Sequence, residues 1–281
     1  MKIILNADDF GYSKDVNLAI ENAIIKGRIS SSTIIANSPF FDEAITISKK
    51  YNNISFGVHL NLIEFAPLSD DTIFKKYNLI DENGNFKYAS IFAVSHFPEE
   101  LKNAIKNEWD LQIKKVIDTG LCISHIDSHQ HTHSIYELED ILLELLKKYN
   151  LNRVRKNTYL SLPVILRIRH FSSPIYSNGL SINKKRTSIL KKVLNHFLIL
   201  PIKNKVWIYK IKKYADVCDG LFSYQIFLQE YKSNSHLYNK KTIEIECHPG
   251  LPSNSDETKL LMNDSLRKLC PDYALITYRD L

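Results

Sequence analysis

The sequence predicts an α/β protein built on a parallel sheet or a (β/α) barrel. Short β-branched runs alternate with amphipathic helical patterns along most of the 281 residues, which is typical of parallel βαβ units. Polar and charged residues directly follow several predicted strands, as they do where the carboxyl ends of parallel strands build an active site. Hydrophobic residues make up 44% of the chain, so a sizeable core and a globular protein are expected.

Strands and helices alternate regularly in the first part of the chain. In order, the runs are KIILNA (strand), SKDVNLAIENAIIKG (helix), SSTIIAN (strand), FFDEAITISKKY (helix) and ISFGVHLNL (strand). Ser13 is a candidate N-cap of the first helix, and Gly27 is a candidate residue just beyond its end. The loop from Glu64 to Tyr88 is too long for a simple connection. Long loops at strand ends often carry function.

The alternation continues in the second part of the chain. The runs are PEELKNAIKNEWDLQIKKVIDTG (helix), CISHIDS (strand), SIYELEDILLELLKKYN (helix), LNRVRK (short strand), KTIEIECHPG (strand) and YALITYRDL (closing segment). Two helical pieces are predicted before the last strands, around Ser188 to Leu200 and around Lys205 to Tyr214, with Pro201 separating them. We therefore expect a single domain with a helical insertion.

The net charge of +6 is concentrated in one segment. No Asp or Glu lies between Leu145 and Ala215, and this stretch holds 17 Lys and Arg residues. The rest of the chain has 20 Lys and Arg against 31 Asp and Glu, a net charge of −11. The predicted domain thus spans residues 1–281, with a basic insertion at about residues 157–240.

Two interpretations of the basic segment stay open. Lysines interleaved with apolar residues are typical of helices that make peripheral contact with an anionic membrane, which would suit a glycan-lipid substrate. Alternatively, the apolar residues belong to the core or to a homodimer interface, and the lysines form a solvated face. Nucleic-acid binding is not indicated, because no nucleic-acid motif accompanies the charge.

The sequence also bears on the cellular compartment. The four cysteines lie far apart with no C-x-x-C pair, which argues against a zinc knuckle or a disulfide framework. Asp8 and Asp9 interrupt the apolar N-terminus before a signal sequence could form, and no run approaches the roughly 18 apolar residues of a transmembrane helix. We expect a cytoplasmic protein, with the inner membrane face as the alternative if the basic segment binds lipid.

The run CISHIDSHQHTH holds four of the ten histidines of the chain. On a strand, alternate side chains share a face, and the alternate set here is His125, Asp127, His129, His131 and His133. Only the start of this run can be strand. Burying several imidazoles beside carboxylates costs free energy unless they are paired or bind a metal.

Other candidates are ambiguous when each is considered alone. Asp8 and Asp9 close the first strand just before Gly11, and Asp before Gly is also common in ordinary turns. His59 lies in an apolar strand, where a single histidine is usually a core residue.

Taken together and in order, NADDFG, GVHLNL, HIDSHQHTH, VRK and ECHPG resemble the YdjC-like carbohydrate deacetylase family, which includes chitooligosaccharide deacetylases. The resemblance covers roughly Met1 to Arg155 and Glu244 to Leu281. It implies a TIM-barrel-like fold, possession of one divalent metal ion, and hydrolysis of the acetamide of an N-acetylated sugar or oligosaccharide to acetate and an amino sugar.

Residue by residue, the resemblance implies that Asp9, His59 and His129 bind the metal. Two imidazoles and one carboxylate leave open positions for water and substrate, as a catalytic site requires. Ligand softness favours Zn over Mg, whereas the family is often described with Mg, so both metals stay open.

The resemblance also implies the groups that move protons. Asp8 would be the general base, His248 the general acid, and Arg155 would orient Asp8 through a charge-assisted hydrogen bond. From their positions, His125 and Asp127 are expected to support His129 as outer hydrogen-bond partners. His131 and His133 would either line the sugar site or cap the next helix.

Two other functions are weighed against a deacetylase. A metal-dependent phosphoesterase would also use clustered His and Asp, but it normally needs a larger ligand set for two metals. A non-catalytic sugar-binding barrel is the other alternative, and the presence of all five motifs argues against it.

Overall fold

The computed structural model describes residues 1–88, 90–157, 200–238 and 241–281. Its centre is a seven-stranded sheet in which all the strand pairings are parallel. The strands are β1 (Lys2–Phe10), β2 (Ser31–Ile34), β3 (Ser55–Leu60), β4 (Ile123–Ser128), β5 (Gly220–Ser223), β6 (Thr242–Cys247) and β7 (Ala274–Leu275). Their order is β4, β3, β2, β1, β6, β5, and β7 pairs with the start of β1.

Helices follow most of these strands. The described helices are α1 (Lys14–Ile25), α2 (Phe41–Ser48), α3 (Thr72–Lys76), α4 (Glu99–Asp118), α5 (Glu139–Lys148), α6 (Leu200–Lys212), α7 (Tyr224–Asn234), α8 (Ser255–Met262) and α9 (Ser265–Leu269). Within the described ranges, no helix has both the length and the apolar character that crossing a bilayer requires.

Backbone pairing continues beyond β4. Ile126 forms a parallel bridge with Val154, and Arg153 forms one with Asp216. The amide of Val154 donates to the carbonyl oxygen of Asp216 at 3.2 Å. Asp216 lies shortly before β5, the strand at the opposite edge of the sheet from β4. These bridges therefore lead from one edge of the sheet toward the other, as the closure of a barrel requires. The predicted α/β class with a parallel sheet is confirmed.

Several details of the sequence prediction are also confirmed. The Ser13 side chain accepts a hydrogen bond from the Val16 amide at 3.2 Å, which caps α1. Gly27 has φ of +63° just beyond the same helix, a conformation that glycine adopts without the steric cost of a Cβ atom.

The helical piece predicted around Lys205 to Tyr214 is present for most of its length in α6, which also includes Pro201. The predicted helical piece from Ser188 to Leu200 lies outside the described residues except at its last position. LNRVRK, predicted as a short strand, forms isolated bridges only.

The two faces of β1 have different surroundings, and this difference places the site. Ile3, Leu5 and Ala7 belong to the main apolar core, together with residues of α1 and α2. The alternate residue Ile4 belongs to a separate small cluster with Cys218 and Tyr278. Asn6 and Asp8 continue the Ile4 face toward the end of the strand, so polar side chains line this second face there.

Gly57 and His125 show how tightly this second face is packed. The His125 ring is buried and stacks on Tyr278, with ring centroids 3.5 Å apart. A Cβ atom at Gly57 would lie 2.5 Å from Cε1 of His125. The Ser124 hydroxyl, 2.8 Å from Nδ1, restrains the same ring. The missing side chain at Gly57 thus provides the space that the imidazole occupies.

We predict that Gly57→Ala destabilises the fold by about 1–3 kcal/mol, the usual cost of overpacking a core. The free energy of unfolding from urea titration measures this effect. His125→Ala should remove the clash, so Gly57→Ala should cost much less in the His125→Ala background. Equal costs in the two backgrounds would show that the imidazole is not the obstacle.

Candidate metal centre and active site

Two neighbouring aspartates at the end of β1 reach the same site. Strand alternation alone would direct adjacent side chains to opposite faces. Asp9, however, has φ of +66°, and the register of β1 against β2 shifts between Ala7 and Phe10. The Tyr12 amide donates to the Asp9 carbonyl oxygen at 2.9 Å and supports the turn. This local irregularity brings both carboxylates to the carboxyl edge of the sheet.

Asp9, His59 and His129 form a buried cluster at this edge. Oδ1 of Asp9 lies 2.7 Å from Nδ1 of His129 and 3.2 Å from Nε2 of His59. Oδ2 of Asp9 is buried and has no hydrogen-bond partner among the described residues. His59 comes from β3, and His129 directly follows β4. The structure therefore brings together the three predicted metal ligands.

A second group with potential ligand atoms is Asp8, His59 and Asp127. Both of its carboxylates are already paired with the guanidinium of Arg155, at 2.6 Å for Asp8 and 2.9 Å for Asp127. A cation placed there would meet this positive charge. In the part of the chain that the structure describes, the group around Asp9 has a carboxylate oxygen without a hydrogen-bond partner, so this group fits a cation better.

The electrostatics of the cluster favour positive charge. Burial alone would lower the pKa of His59, but Asp127 and Asp9 raise it to about 9. For His129, Asp9 and Glu64 likewise overcome burial and raise the pKa to about 10. Carboxylates that attract a proton this strongly would also attract a divalent cation at the same place. The donor set thus fits a single metal ion.

Arg155 is fully buried and joins carboxylates from three strands. Two of its nitrogens each lie 2.6 Å from one oxygen of Asp8, and Nε donates to Glu244 at 2.8 Å. Burial by itself would raise the pKa of Asp8, but Arg155 holds it well below its usual range. Asp8 is therefore ionised at neutral pH and held in one orientation.

His248 lies just after β6, at the edge of the same site. Its Nε2 atom is 3.9 Å from Oδ2 of Asp8, and its Nδ1 atom is 3.6 Å from Oε1 of Glu257. Burial would lower the pKa of His248, but Glu257 and Asp8 raise it to about 10. Since 27% of the side chain is exposed, the protonated imidazole is accessible to a substrate.

The remaining histidines of the CISHIDSHQHTH run do not gather around His129. His125 packs on Tyr278, and burial followed by the charge of Arg155 lowers its pKa well below the usual value. His131 lies 3.6 Å from Oε2 of Glu246 through its Nε2 atom. His133 is buried and contacts Ser128 and Trp207, so it does not cap α5.

Asp127 supports a different histidine from the one expected. Its Oδ1 atom lies 2.7 Å from Nδ1 of His59, and no contact with His129 is found among the described residues. Thr33 donates to the other oxygen of Asp127 at 3.0 Å. Asp127 thus fixes the His59 ring from the side that faces away from Asp9.

Sequence reasoning missed several residues of the site. They are Asn6, Thr33, Glu64, Glu244 and Glu246. A signal was present for Glu244 and Glu246, because both alternate with the predicted residue His248 and so belong to one strand face. Thr33 and Glu64 carried no comparable signal, since each takes its role from a partner that is distant in sequence.

The fold and the site together define a class of protein: parallel α/β proteins with an Asp/His cluster at the carboxyl edge of the sheet. A family model described as YdjC-like protein matches residues 2–273. The chain belongs to the YdjC-like family, as its motifs indicated.

Relatives with assigned names support this membership. A carbohydrate deacetylase of Brevibacillus brevis is 36% identical over 149 residues, which are 53% of this chain and 57% of that protein. A carbohydrate deacetylase of Oceanobacillus iheyensis is 30% identical over 183 residues, which are 65% of this chain and 77% of that protein. The match to several of these relatives spans only about three fifths of their length.

The fold also resembles a solved structure. A candidate cellobiose-phosphate cleavage protein of Enterococcus faecalis V583 aligns with a TM-score of 0.69 over 99% of this chain and 98% of that chain. The sequence identity is 23%, so this likeness concerns the fold alone.

We predict that Arg155→Met destabilises the fold by about 3–5 kcal/mol at pH 7, because buried carboxylates lose their counter-charge. Arg155 depresses the pKa of Asp8, so it contributes to the free energy of unfolding at neutral pH. The difference between wild type and variant should decline as pH falls, because the unpaired carboxylates of the variant then bind protons. Urea unfolding of wild type and variant at pH 7 and pH 5 measures the difference. A deficit that grew toward pH 5 would contradict this account.

Proposed function

We propose that this protein is a metal-dependent deacetylase that hydrolyses the acetamide of an N-acetylated sugar, releasing acetate and an amino sugar. The observation that carries the proposal is the cluster of Asp9, His59 and His129 beside the Asp8 and Arg155 pair. Family membership and the names of the relatives give independent support.

The residues that would hold the metal are Asp9, His59 and His129. When bound there, a divalent ion supplies an acidified water and polarises the acetyl carbonyl. The chain keeps these three side chains buried, and Asp127 orients His59 through a 2.7 Å contact. The site is thus organised by the protein before any substrate arrives.

Asp8 and His248 are suited to opposite proton transfers. Asp8 is ionised and oriented by Arg155, so it would accept a proton from the attacking water. Glu257 and Asp8 raise the pKa of His248 to about 10, so His248 would carry a proton at neutral pH and donate it to the sugar nitrogen as the carbon–nitrogen bond breaks. Each transfer typically contributes about 10²- to 10⁴-fold to the rate.

The alternative of a two-metal phosphoesterase is less well supported. Among the described residues, the other group that could hold a metal is Asp8, Asp127 and the shared His59, where Arg155 already supplies the positive charge. A non-catalytic sugar-binding barrel would not need the ionised Asp8 and the protonated His248 at one site. A single-metal hydrolase uses all these groups.

The first test is acetate release from N-acetylglucosamine oligomers and from nucleotide-linked and lipid-linked N-acetyl sugars. We expect acetate from at least one of these substrate classes and dependence on added Zn²⁺ or Mg²⁺. Failure to release acetate from any class with either metal, while p-nitrophenyl phosphate or a phosphodiester is cleaved, would favour the phosphoesterase.

The second test separates the two neighbouring aspartates. His59→Ala and His129→Ala should lose bound metal and activity together, because each removes a ligand. Asp9→Asn should weaken metal binding, whereas Asp8→Asn and His248→Ala should keep the metal and lower kcat. Metal content is measured by elemental analysis after gel filtration. Wild-type metal content in both histidine variants would show that the ligands are misassigned.

Helix α6 supports a further element of the proposal, contact with an anionic membrane surface at the cytoplasmic side. Trp207 and Ile211 are buried against the protein, and Lys203 and Lys210 form ion pairs with Glu137 and Glu139. The outward residues are exposed: Ile202, Lys205, Tyr209, Lys212 and Lys213. The three outward lysines form no salt bridge with any residue that the structure describes, and their charge complements anionic lipid.

We predict that the protein sediments with vesicles containing phosphatidylglycerol and less so as salt increases, because salt screens the attraction. Replacing Lys205, Lys212 and Lys213 with Gln should reduce this binding. The control is a variant in which Lys14, Lys26 and Lys49, near α1 and α2, are replaced with Gln, since it changes the net charge by the same amount. Equal recovery with neutral phosphatidylcholine vesicles would contradict membrane contact.

A further inference from the structure

Each candidate metal-binding histidine has one nitrogen directed at Asp9 and another directed elsewhere. For His59, Nε2 faces Asp9 and Nδ1 lies 2.7 Å from a carboxylate oxygen of Asp127. For His129 the roles of the two nitrogens are reversed, since Nδ1 faces Asp9. The outward Nε2 of His129 lies 3.6 Å from Oε2 of Glu64. Both rings thus lie between Asp9 and a second carboxylate.

The contact between Glu64 and His129 is longer than the contact between Asp127 and His59. The Oε2 atom of Glu64 is buried, although 26% of the side chain is exposed, and it has no hydrogen-bond partner among the described residues. A buried carboxylate oxygen just outside hydrogen-bonding distance of an imidazole nitrogen needs only a small movement to accept its N–H.

The backbone around Glu64 is held firmly enough for such a role. The side chain of Asn61, which is fully buried, donates to the Glu64 carbonyl oxygen at 2.7 Å. Asn37 donates to the same oxygen at 3.3 Å. The next residue, Phe65, has φ of +64°, a conformation that non-glycine residues adopt only when surrounding contacts enforce it. Glu64 therefore begins the long loop after β3 at a fixed position.

We propose that Glu64 is a positioning residue for His129, accepting the Nε2 N–H so that Nδ1 remains unprotonated toward Asp9. This inference rests on the metal site of the proposed function. A carboxylate on the outer nitrogen fixes the tautomer and orientation of a ligating imidazole and increases its basicity. Glu64 would do for His129 what Asp127 does for His59.

The long loop after β3 would affect the metal site through Glu64. The loop from Glu64 to Tyr88 contributes no residue to the Asp9, His59 and His129 cluster, yet its first residue would set the affinity of that cluster. Loop and metal affinity would therefore be linked through a single side chain.

The test is Co²⁺ titration of the full-length protein after removal of metals, followed by visible absorption. Glu64→Ala should weaken Co²⁺ binding by about 10- to 100-fold, the usual effect of losing an outer carboxylate. Its saturated spectrum should keep the band intensity of wild type, because the number of ligands is unchanged. Glu64→Gln, whose amide oxygen can still accept the N–H, should recover part of the affinity.

Matched variants make the result interpretable. Glu82→Ala, an exposed acid in the same loop, should bind Co²⁺ like wild type. His129→Ala should lose a ligand and change the spectrum. Urea unfolding of the metal-free proteins shows whether Glu64→Ala is folded, and Glu64→Gln provides a second reading if it is not.

Unchanged affinity in Glu64→Ala would overturn the proposal while leaving the metal site intact. A spectrum like that of His129→Ala would overturn it too, since Glu64 would then be a ligand itself. Failure of wild type to bind Co²⁺ would overturn both this inference and the proposed function. Weakened binding without any deacetylase activity would support Glu64 and count only against the proposed reaction.

Discussion

The buried guanidinium of Arg155 is the interaction on which the rest of the site depends. It lies 2.6 to 2.9 Å from carboxylate oxygens of Asp8, Asp127 and Glu244, which come from three different strands. Without it, three carboxylates would share an interior from which water is excluded, at a cost of several kcal/mol. Arg155 therefore allows the strand ends of β1, β4 and β6 to be acidic and still converge.

Arg155 also distributes the carboxylates between two tasks. Asp8 and Asp127 are paired with it and held in place, while one oxygen of Asp9 has no hydrogen-bond partner among the described residues. Adjacent aspartates thereby acquire different properties, one suited to proton transfer and the other to a cation. The positive φ of Asp9 is the local backbone cost of this arrangement.

Packing beneath the site serves the same end. Tyr278 donates to Glu244 and stacks on the neutral ring of His125, which occupies the space left by Gly57. Burial raises the pKa of Glu244 to about 7 even though Arg155 and Tyr278 act against it. The histidine and tyrosine therefore give this part of the interior both shape and polarity, and they form a well-packed layer near the Asp9, His59 and His129 cluster.

The sequence by itself determined the alternation of strands and helices, the caps of α1, and the motif residues Asp8, Asp9, His59, His129, Arg155 and His248. These features are local, since they depend on periodicity, turn chemistry and short motifs. The short elements β5, α8 and α9 gave too little periodic signal to be predicted. Only the tertiary structure decided which carboxylate serves which histidine: Asp127 contacts His59, Glu64 approaches His129, and His125 packs on Tyr278. Such pairings join residues distant in sequence, so they follow from strand order and register, which no local pattern encodes.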